Sequence, residues 1–320
     1  LHHELPRPDL CHCGHSRRRS PAQPRRRNAQ DCISAAGQLG GAIPELGKEA
    51  GIFQKQGLDL DILYTQGGGE TLQIVVSGAV DIGLSAGTLG TLGAYAKGAP
   101  VRIIAASSTG SREVFWFVPA ASPLKSMHDA NGHSIAYSTT GASSHVNVLR
   151  FIKQYGLNAR AVATGDVAAT ITQTMSGQVD LGWSVAPFML DALAKGDVRM
   201  IARASDLEVA RRQTVRVQII NAQNLAAKRE AVGRYLKAYN ETVDWMYSRP
   251  DAVRRYIAFS GLSESSVRHM LANFIPKESL QTATIAGIAE SVQDAVQFRF
   301  LPAPLSQEQL SELIQIPSGS

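Results

Sequence analysis

The sequence predicts an α/β fold of two parallel-sheet lobes with C-terminal helices packed on them, and three observations predict it. First, 320 residues with 44% in the hydrophobic class suit one large or two medium globular units. Second, strand-length apolar runs alternate with helix-length stretches whose apolar residues recur at three and four, the mark of a mainly parallel sheet covered on both faces. Third, "SGAVDIGLSAG" (77–87) and "SGQVDLGWSVAP" (176–187) spell the same helix stop and strand entry about a hundred residues apart. A repeated junction implies two lobes built alike.

The elements follow in order after Gly37. "AIPELGKEAGIFQKQ" places Ile43, Leu46, Ala50 and Phe53 at helical spacing and stops near Gly57; "LDLDILYT" alternates Leu58, Leu60 and Ile62 as a half-buried strand does. "GGGETLQIVVSGAV" opens as a loop and continues as a helix with Leu72, Val75 and Val76 on its apolar face, ending near Gly78. "VDIGLSA" reads as a strand, "LGTLGAYAKGAP" as a helix stopped at Gly98, and "VRIIAASS" as a buried strand. The second lobe repeats the plan, with strands at "SIAYSTT", "RAVATG", "DLGWSVAP" and "RMIARAS" separated by helices at "SSHVNVLRFIKQYGL", "DVAATITQTMSGQV" and "FMLDALAKGDV". Asp81 and Asp180, the shared aspartates of the repeat, are expected to brace the turn into each strand rather than touch a ligand. "TVRVQII" is a further strand, and helical patterns dominate from Ala227 onward. The expected organisation is an unfolded segment over 1–36, lobe I over 37–112, lobe II over 113–212, and a return to lobe I with packing C-terminal helices over 213–320.

The charge of +5 is unevenly placed. Residues 1–36 hold seven arginines against Glu4, Asp9 and Asp31, which leaves a nearly neutral body and argues against a nucleic-acid surface. All three cysteines, Cys11, Cys13 and Cys32, lie in this segment. Their "CHC" spacing lacks the paired ligands of a structural zinc site, and the cysteine-free body excludes disulfides and thiol catalysis there. The segment has no apolar periodicity, and its twin arginines are not followed by an apolar export core. It is expected to be disordered, or not the native start of the protein. No run approaches the roughly 18 apolar residues of a membrane-spanning helix.

In an open parallel sheet, ligands sit beyond the carboxyl ends of the strands, where helix N-termini present free N–H groups. Those ends carry Gln38; Gly68, Gly69 and Thr71; Ser85, Ala86, Gly87 and Thr88; Ser107 and Ser108; and Trp183, Ser184, Val185 and Pro187. "YSTTGASSH" adds Ser138, Thr140, Gly141, Ser143, Ser144 and His145, a glycine flanked by hydroxyls at a helix start. Such donors converge on an anionic or polar group. "QGGGET" is not a phosphate loop, because no Lys-Ser/Thr follows it. Trp183 fits core packing and ligand stacking equally well. No Ser/His/acid set, H-E-x-x-H or G-x-S-x-G motif is present, and the loops contain no obvious Arg or Asp anchor, so recognition is expected rather than catalysis. No cofactor and no metal are expected.

The ordered segments "EAGIFQKQGLDLDI", "QGGGETLQIVVSGAVDIGLSAG", "KGAPVRIIA", "SPLKSMHDANGHSIAYSTTGASSH" and "TMSGQVDLGWSVAPF" resemble substrate-binding proteins of bacterial ABC importers. The resemblance is to the nitrate/sulfonate/taurine and thiamine-precursor type, and it runs from about residue 37 to the C-terminus. It implies a type II periplasmic binding protein fold acting as a monomer in the periplasm. Two lobes would close by a hinge on a small sulfonate, carboxylate or heteroaromatic solute before docking on an inner-membrane permease. The family's ligand positions map onto Gln38, the turn at 67–71, Ser85 to Thr88, Ser138 to His145, and Trp183. Measured against the family, most of the first strand before Gln38 is expected to be missing. Two alternatives share the fold. An iron-dependent pyrimidine-synthase-like enzyme would need cysteines the body lacks, and the effector domain of a transcription regulator would need a helix-turn-helix that 1–36 is too short to form.

Overall fold

The computed structural model describes residues 31–37 as backbone and 43–317 in full. The proposed disorder and metal-binding potential of 1–30, and the position of Gln38, lie outside the described residues. Lobe I runs β1 (Asp31–Gly37), α1 (Ile43–Glu49), α2 (Ile52–Lys55), β2 (Leu58–Tyr64), α3 (Gly68–Val76), β3 (Ile82–Gly87), α4 (Thr88–Ala96) and β4 (Val101–Thr109). Lobe II follows as β5 (Val114–Pro119), β6 (Ser134–Tyr137), α5 (Ser143–Tyr155), β7 (Arg160–Ala163), α6 (Val167–Met175), β8 (Gly182–Val185), α7 (Leu190–Lys195), β9 (Val198–Arg203) and α8 (Glu208–Arg212). The chain returns through β10 (Thr214–Asn221) into α9 (Ala222–Ser248), α10 (Pro250–Ser260), α11 (Glu264–Asn273), α12 (Ile288–Gln297) and α13 (Gln307–Leu313).

The lobe I sheet has the order β2-β1-β3-β10-β4. The first strand is therefore present, contrary to the expectation from sequence. β1 pairs in parallel along its whole length with β2, from Asp31 against Leu58 to Gly37 against Tyr64, and also pairs with β3. Backbone hydrogen bonds on both edges define such a central strand, so the arginine-rich composition just before it hid the strand without preventing it. Residues 31–36 accordingly belong to the lobe I sheet and not to an unfolded segment.

Each lobe also takes in a strand running against the others. β10 is antiparallel to both β3 and β4; β5 lies antiparallel between β8 and β9, while β6 and β7 are parallel. These exceptions have one cause: β5 is where the chain first enters lobe II, and β10 is where it returns to lobe I. A crossing chain arrives from the opposite end of the sheet.

The packing follows the period of each pattern. Along β2, Leu58 and Leu60 are buried while Asp59 and Asp61 are exposed. Across β10 the faces divide: Val217 and Ile219 join Leu72, Val75 and Leu92 under α3 and α4, whereas Ile220 joins Phe53, Tyr235 and Leu236 under α9. Lobe II has its own core around Trp116, Phe151 and Trp183. Each fully buried aliphatic or aromatic side chain contributes about 1.5–3 kcal/mol. No helix among the described residues is long and apolar enough to cross a membrane.

The repeated junction has a structural cause in both copies. Gly78 and Gly177 both lie at φ 76°, in the left-handed region that ends a helix, and their N–H groups donate to Val75 and Thr174 carbonyls. Asp180 Oδ2 accepts from the Ser134 N–H at 2.8 Å and hydroxyl at 2.6 Å, tying the entry of β8 to that of β6. The buried Asp81 pairs with Lys228 Nζ at 2.9 Å, where α9 departs from helical geometry. Both carboxylates brace the architecture.

Candidate ligand-binding site

The rims of the two lobes touch, and glycine makes the contact possible. The Gly69 N–H donates to Thr139 Oγ1 at 3.0 Å across the seam. A Cβ placed on Gly69 would lie 2.4 Å from the Thr140 carbonyl oxygen, and on Gly87 or Gly90 it would lie 2.2 or 2.6 Å from that of Gly141. Backbone meets backbone there, which no other residue type permits. Deeper in the same seam, Arg216 Nε donates to Ser143 Oγ at 2.9 Å, joining β10 to the start of α5. Arg150 on α5 donates to Asp294 on α12 at 2.6 Å and to Gln213.

Of the residues predicted from sequence to bind ligand, Gly69, Gly87, Thr140, Gly141 and Ser143 belong to this seam, and others make contacts within their own lobe. Thr71 is buried, and its hydroxyl is engaged with Thr65 at 2.7 Å; Gly68 packs on the Ser85 carbonyl, and Thr88 donates to the Thr214 carbonyl at 2.6 Å. Ala86 is fully buried within β3. Ser138 and Ser144 share a hydroxyl–hydroxyl bond of 2.9 Å, Thr140 is exposed, and Gly141 donates to His145 Nδ1 at 3.3 Å. The five hydroxyls of "YSTTGASSH" thus largely serve the loop and the opposite lobe. Trp183 takes no part in the cavity: it is 1% exposed in the core of lobe II, and its indole N–H donates to Thr164 Oγ1 at 3.2 Å. Trp183→Ala is therefore expected to cost about 3–5 kcal/mol in denaturant unfolding, and Trp183→Phe to leave ligand affinity unchanged by titration calorimetry.

The cavity opens beside the seam, between the two lobes and the C-terminal helices. Ser85, Ser107, Ser108, Glu113, Arg216 and Tyr239 supply its polar wall. Among the described residues, the strand-end candidates Ser85, Ser107, Ser108 and Val185 line it directly, and Ser143 reaches it through Arg216. Ser85 sits at φ 59°, where β3 carries two residues opposite Gln218 of β10; this bulge turns its hydroxyl to within 3.2 Å of Ser107 Oγ. Arg216 Nη1 and Glu113 Oε1 form an ion pair of 2.8 Å with less than a tenth of either side chain exposed, and Ser108 donates to the same carboxylate oxygen at 2.8 Å. Burial pushes the Tyr239 phenol above its ordinary range, so it stays neutral while bonded to Ser107. Met246, Tyr256, Met270 and Ile275 form the apolar wall.

The sequence reading found no charged anchor, and the structure supplies one. Arg216 stands between two valines in "TVRVQII", and Glu113 precedes "VFWFV". A single charge inside an otherwise apolar strand was the available signal, because burial there requires a partner.

His145 adds a pH dependence. Burial holds its imidazole below the ordinary value of 6.5, its ring stacks on Tyr137 with centroids 4.2 Å apart, and its Nδ1 accepts the Gly141 N–H. A folded-state pKa below the unfolded one means the unfolded chain takes up the proton first. Stability contributed by neutral His145 is present above pH 6.5 and is lost as pH falls from there through the folded value. Urea midpoints taken between pH 7.5 and 5.5 should fall, and His145→Asn should remove that increment of the fall.

Comparison with known proteins agrees with this architecture. The family described as NMT1/THI5 like matches residues 45–253. The chain is 26% identical over 229 residues to 4-amino-5-hydroxymethyl-2-methylpyrimidine phosphate synthase THI12 of Saccharomyces cerevisiae, covering 67% of this chain and 66% of that protein. It thus spans just under two thirds of the length of that curated relative. A putative aliphatic sulfonates-binding protein of Escherichia coli is 30% identical over 146 residues, 44% of each chain. Among solved structures, the alkanesulfonate-binding protein SsuA from Xanthomonas axonopodis pv. citri bound to MOPS superposes with a TM-score of 0.75 at 18% identity, over 91% of this chain and 100% of that one. The periplasmic nitrate-binding protein NrtA from Synechocystis PCC 6803 gives 0.66 at 14%, over 89% and 86%. These likenesses show the periplasmic binding protein fold with its two lobes.

Proposed function

We propose, from the premise that this chain belongs to the NMT1/THI5-like family, that it is the solute-binding component of an ABC importer. It would capture a small sulfonate, carboxylate or heteroaromatic molecule between its lobes in the periplasm and deliver it, as a monomer, to a membrane permease. The observation that carries this reading is the cavity at the lobe junction. Its polar wall takes residues from both crossings, Glu113 at the entry to lobe II and Arg216 on the return, beside a seam where the lobes meet backbone to backbone. A molecule seated there touches Ser85, Ser107, Arg216 and Tyr239 on the lobe I side together with Val185 and Ala186 of lobe II only when the lobes are shut, so binding selects the closed population. The test is native mass spectrometry of protein purified without denaturation. One retained small molecule per chain is expected, and loss of that mass in a variant with a filled cavity, Ser107→Phe, would place it there.

The yeast relatives, named as synthases, favour a second reading in which the cavity holds a substrate for chemistry. Cys11 and Cys13 lie outside the described residues, and Cys32 stands in β1 of the lobe I sheet, so the lobes are not free of cysteine as the sequence suggested. Turnover measured with added iron separates the two readings: a product that accumulates with time establishes the enzyme, and its absence with a bound ligand supports the carrier.

A further inference from the structure

We propose that the solute taken by this cavity is electroneutral, with a hydrogen-bond donor and acceptor on neighbouring atoms and an apolar body; this rests on the solute-binding reading above. The argument starts from charge. Among the described residues Arg216 is the one cation lining the cavity and Glu113 the one carboxylate, and they neutralise each other at 2.8 Å. An anion brought to Arg216 would stand equally close to Glu113, so attraction and repulsion offset while the cost of stripping its water remains. A cation meets the mirror image of the same problem.

The pair nevertheless keeps hydrogen-bonding capacity. Among the described residues no hydrogen bond uses Arg216 Nη2 or Glu113 Oε2, so the wall presents a donor beside an acceptor. Behind that wall and not lining the cavity itself, Gln218, two residues along β10 on the same face, is wholly buried, and both its amide atoms lack a hydrogen-bonding partner. An amide repeats the same donor–acceptor pairing. The hydroxyls of Ser85, Ser107 and Ser108 adapt to either role. An amide, a urea or an amino-substituted nitrogen heterocycle complements such a wall, and the apolar residues of α9 and α11 cover its body.

Three isosteric probes that differ only in charge test the assignment by titration calorimetry on the full chain: benzamide, benzoate and benzamidine. Benzamide is expected to bind at least tenfold more tightly than either charged probe, with an affinity insensitive to salt. Glu113→Gln keeps the shape of the site and leaves Arg216 uncompensated, so benzoate should gain at least tenfold relative to benzamide. The comparison among the probes on the unaltered protein stands without the variant if that variant folds poorly. Benzoate or benzamidine binding as tightly as benzamide overturns the assignment, as does a failure of all three to bind at millimolar concentration, or a retained ligand carrying net charge. The underlying capture reading fails by a different signature, namely no retained small molecule of any class in native mass spectra.

Discussion

Arg216→Ala is expected to destabilise the protein by about 3–5 kcal/mol and to abolish solute binding. The substitution leaves Glu113 buried without its counter-charge, and an unpaired buried charge is the costly case among ion-pair changes. It also removes the bond from Nε to Ser143, which links β10 of lobe I to α5 of lobe II. The double substitution Arg216→Met with Glu113→Leu separates these effects. Replacing both charges by apolar groups should recover most of the stability, because neither ion then needs solvation, while binding stays lost. Denaturant midpoints and calorimetry on the three proteins measure this. Equal stability of the single variant and the unaltered chain would show that the pair is hydrated and not part of a closed cavity.

Gly87→Ala should act the other way, leaving the lobes stable and stopping them from meeting. Gly87 has φ −66° and ψ 129°, a conformation alanine adopts without strain, so lobe I should fold as before. In the closed arrangement the new methyl carbon would stand 2.2 Å from the Gly141 carbonyl oxygen, and a backbone atom cannot swing aside as a side chain can. Closure then requires the rims to separate. An affinity loss of about 100-fold, or about 2.7 kcal/mol, is expected with an unchanged unfolding midpoint. An affinity left intact would mean that the ligand does not need the rims in contact.

Much of the fold was legible because the period of the apolar pattern reports which face of each element is buried. Leu58 and Leu60, or Leu72 and Val75, declare their sides locally, and the glycines at 78 and 177 mark the helix ends in both copies of the repeat. Three features were not legible, each for a physical reason. β1 gains its place from pairing with β2 and β3, partners that local composition does not reveal. The reversed direction of β5 and β10 follows from where the chain crosses between lobes. The site itself depends on contacts distant in sequence: Arg216 meets Glu113 and Ser143, while the glycines read as a ligand cradle serve the contact between lobes. Strand-end reasoning pointed to the strand ends at the lobe junction. It could not say which donors there were already occupied.

Small-angle X-ray scattering with and without saturating solute, on the unaltered chain and on Gly87→Ala, reads the closure of the lobes directly. A radius of gyration that falls on binding in the unaltered protein, and stays larger in the variant, is the predicted result. An unchanged radius with the cavity demonstrably filled would contradict the proposal that the lobes shut upon their guest.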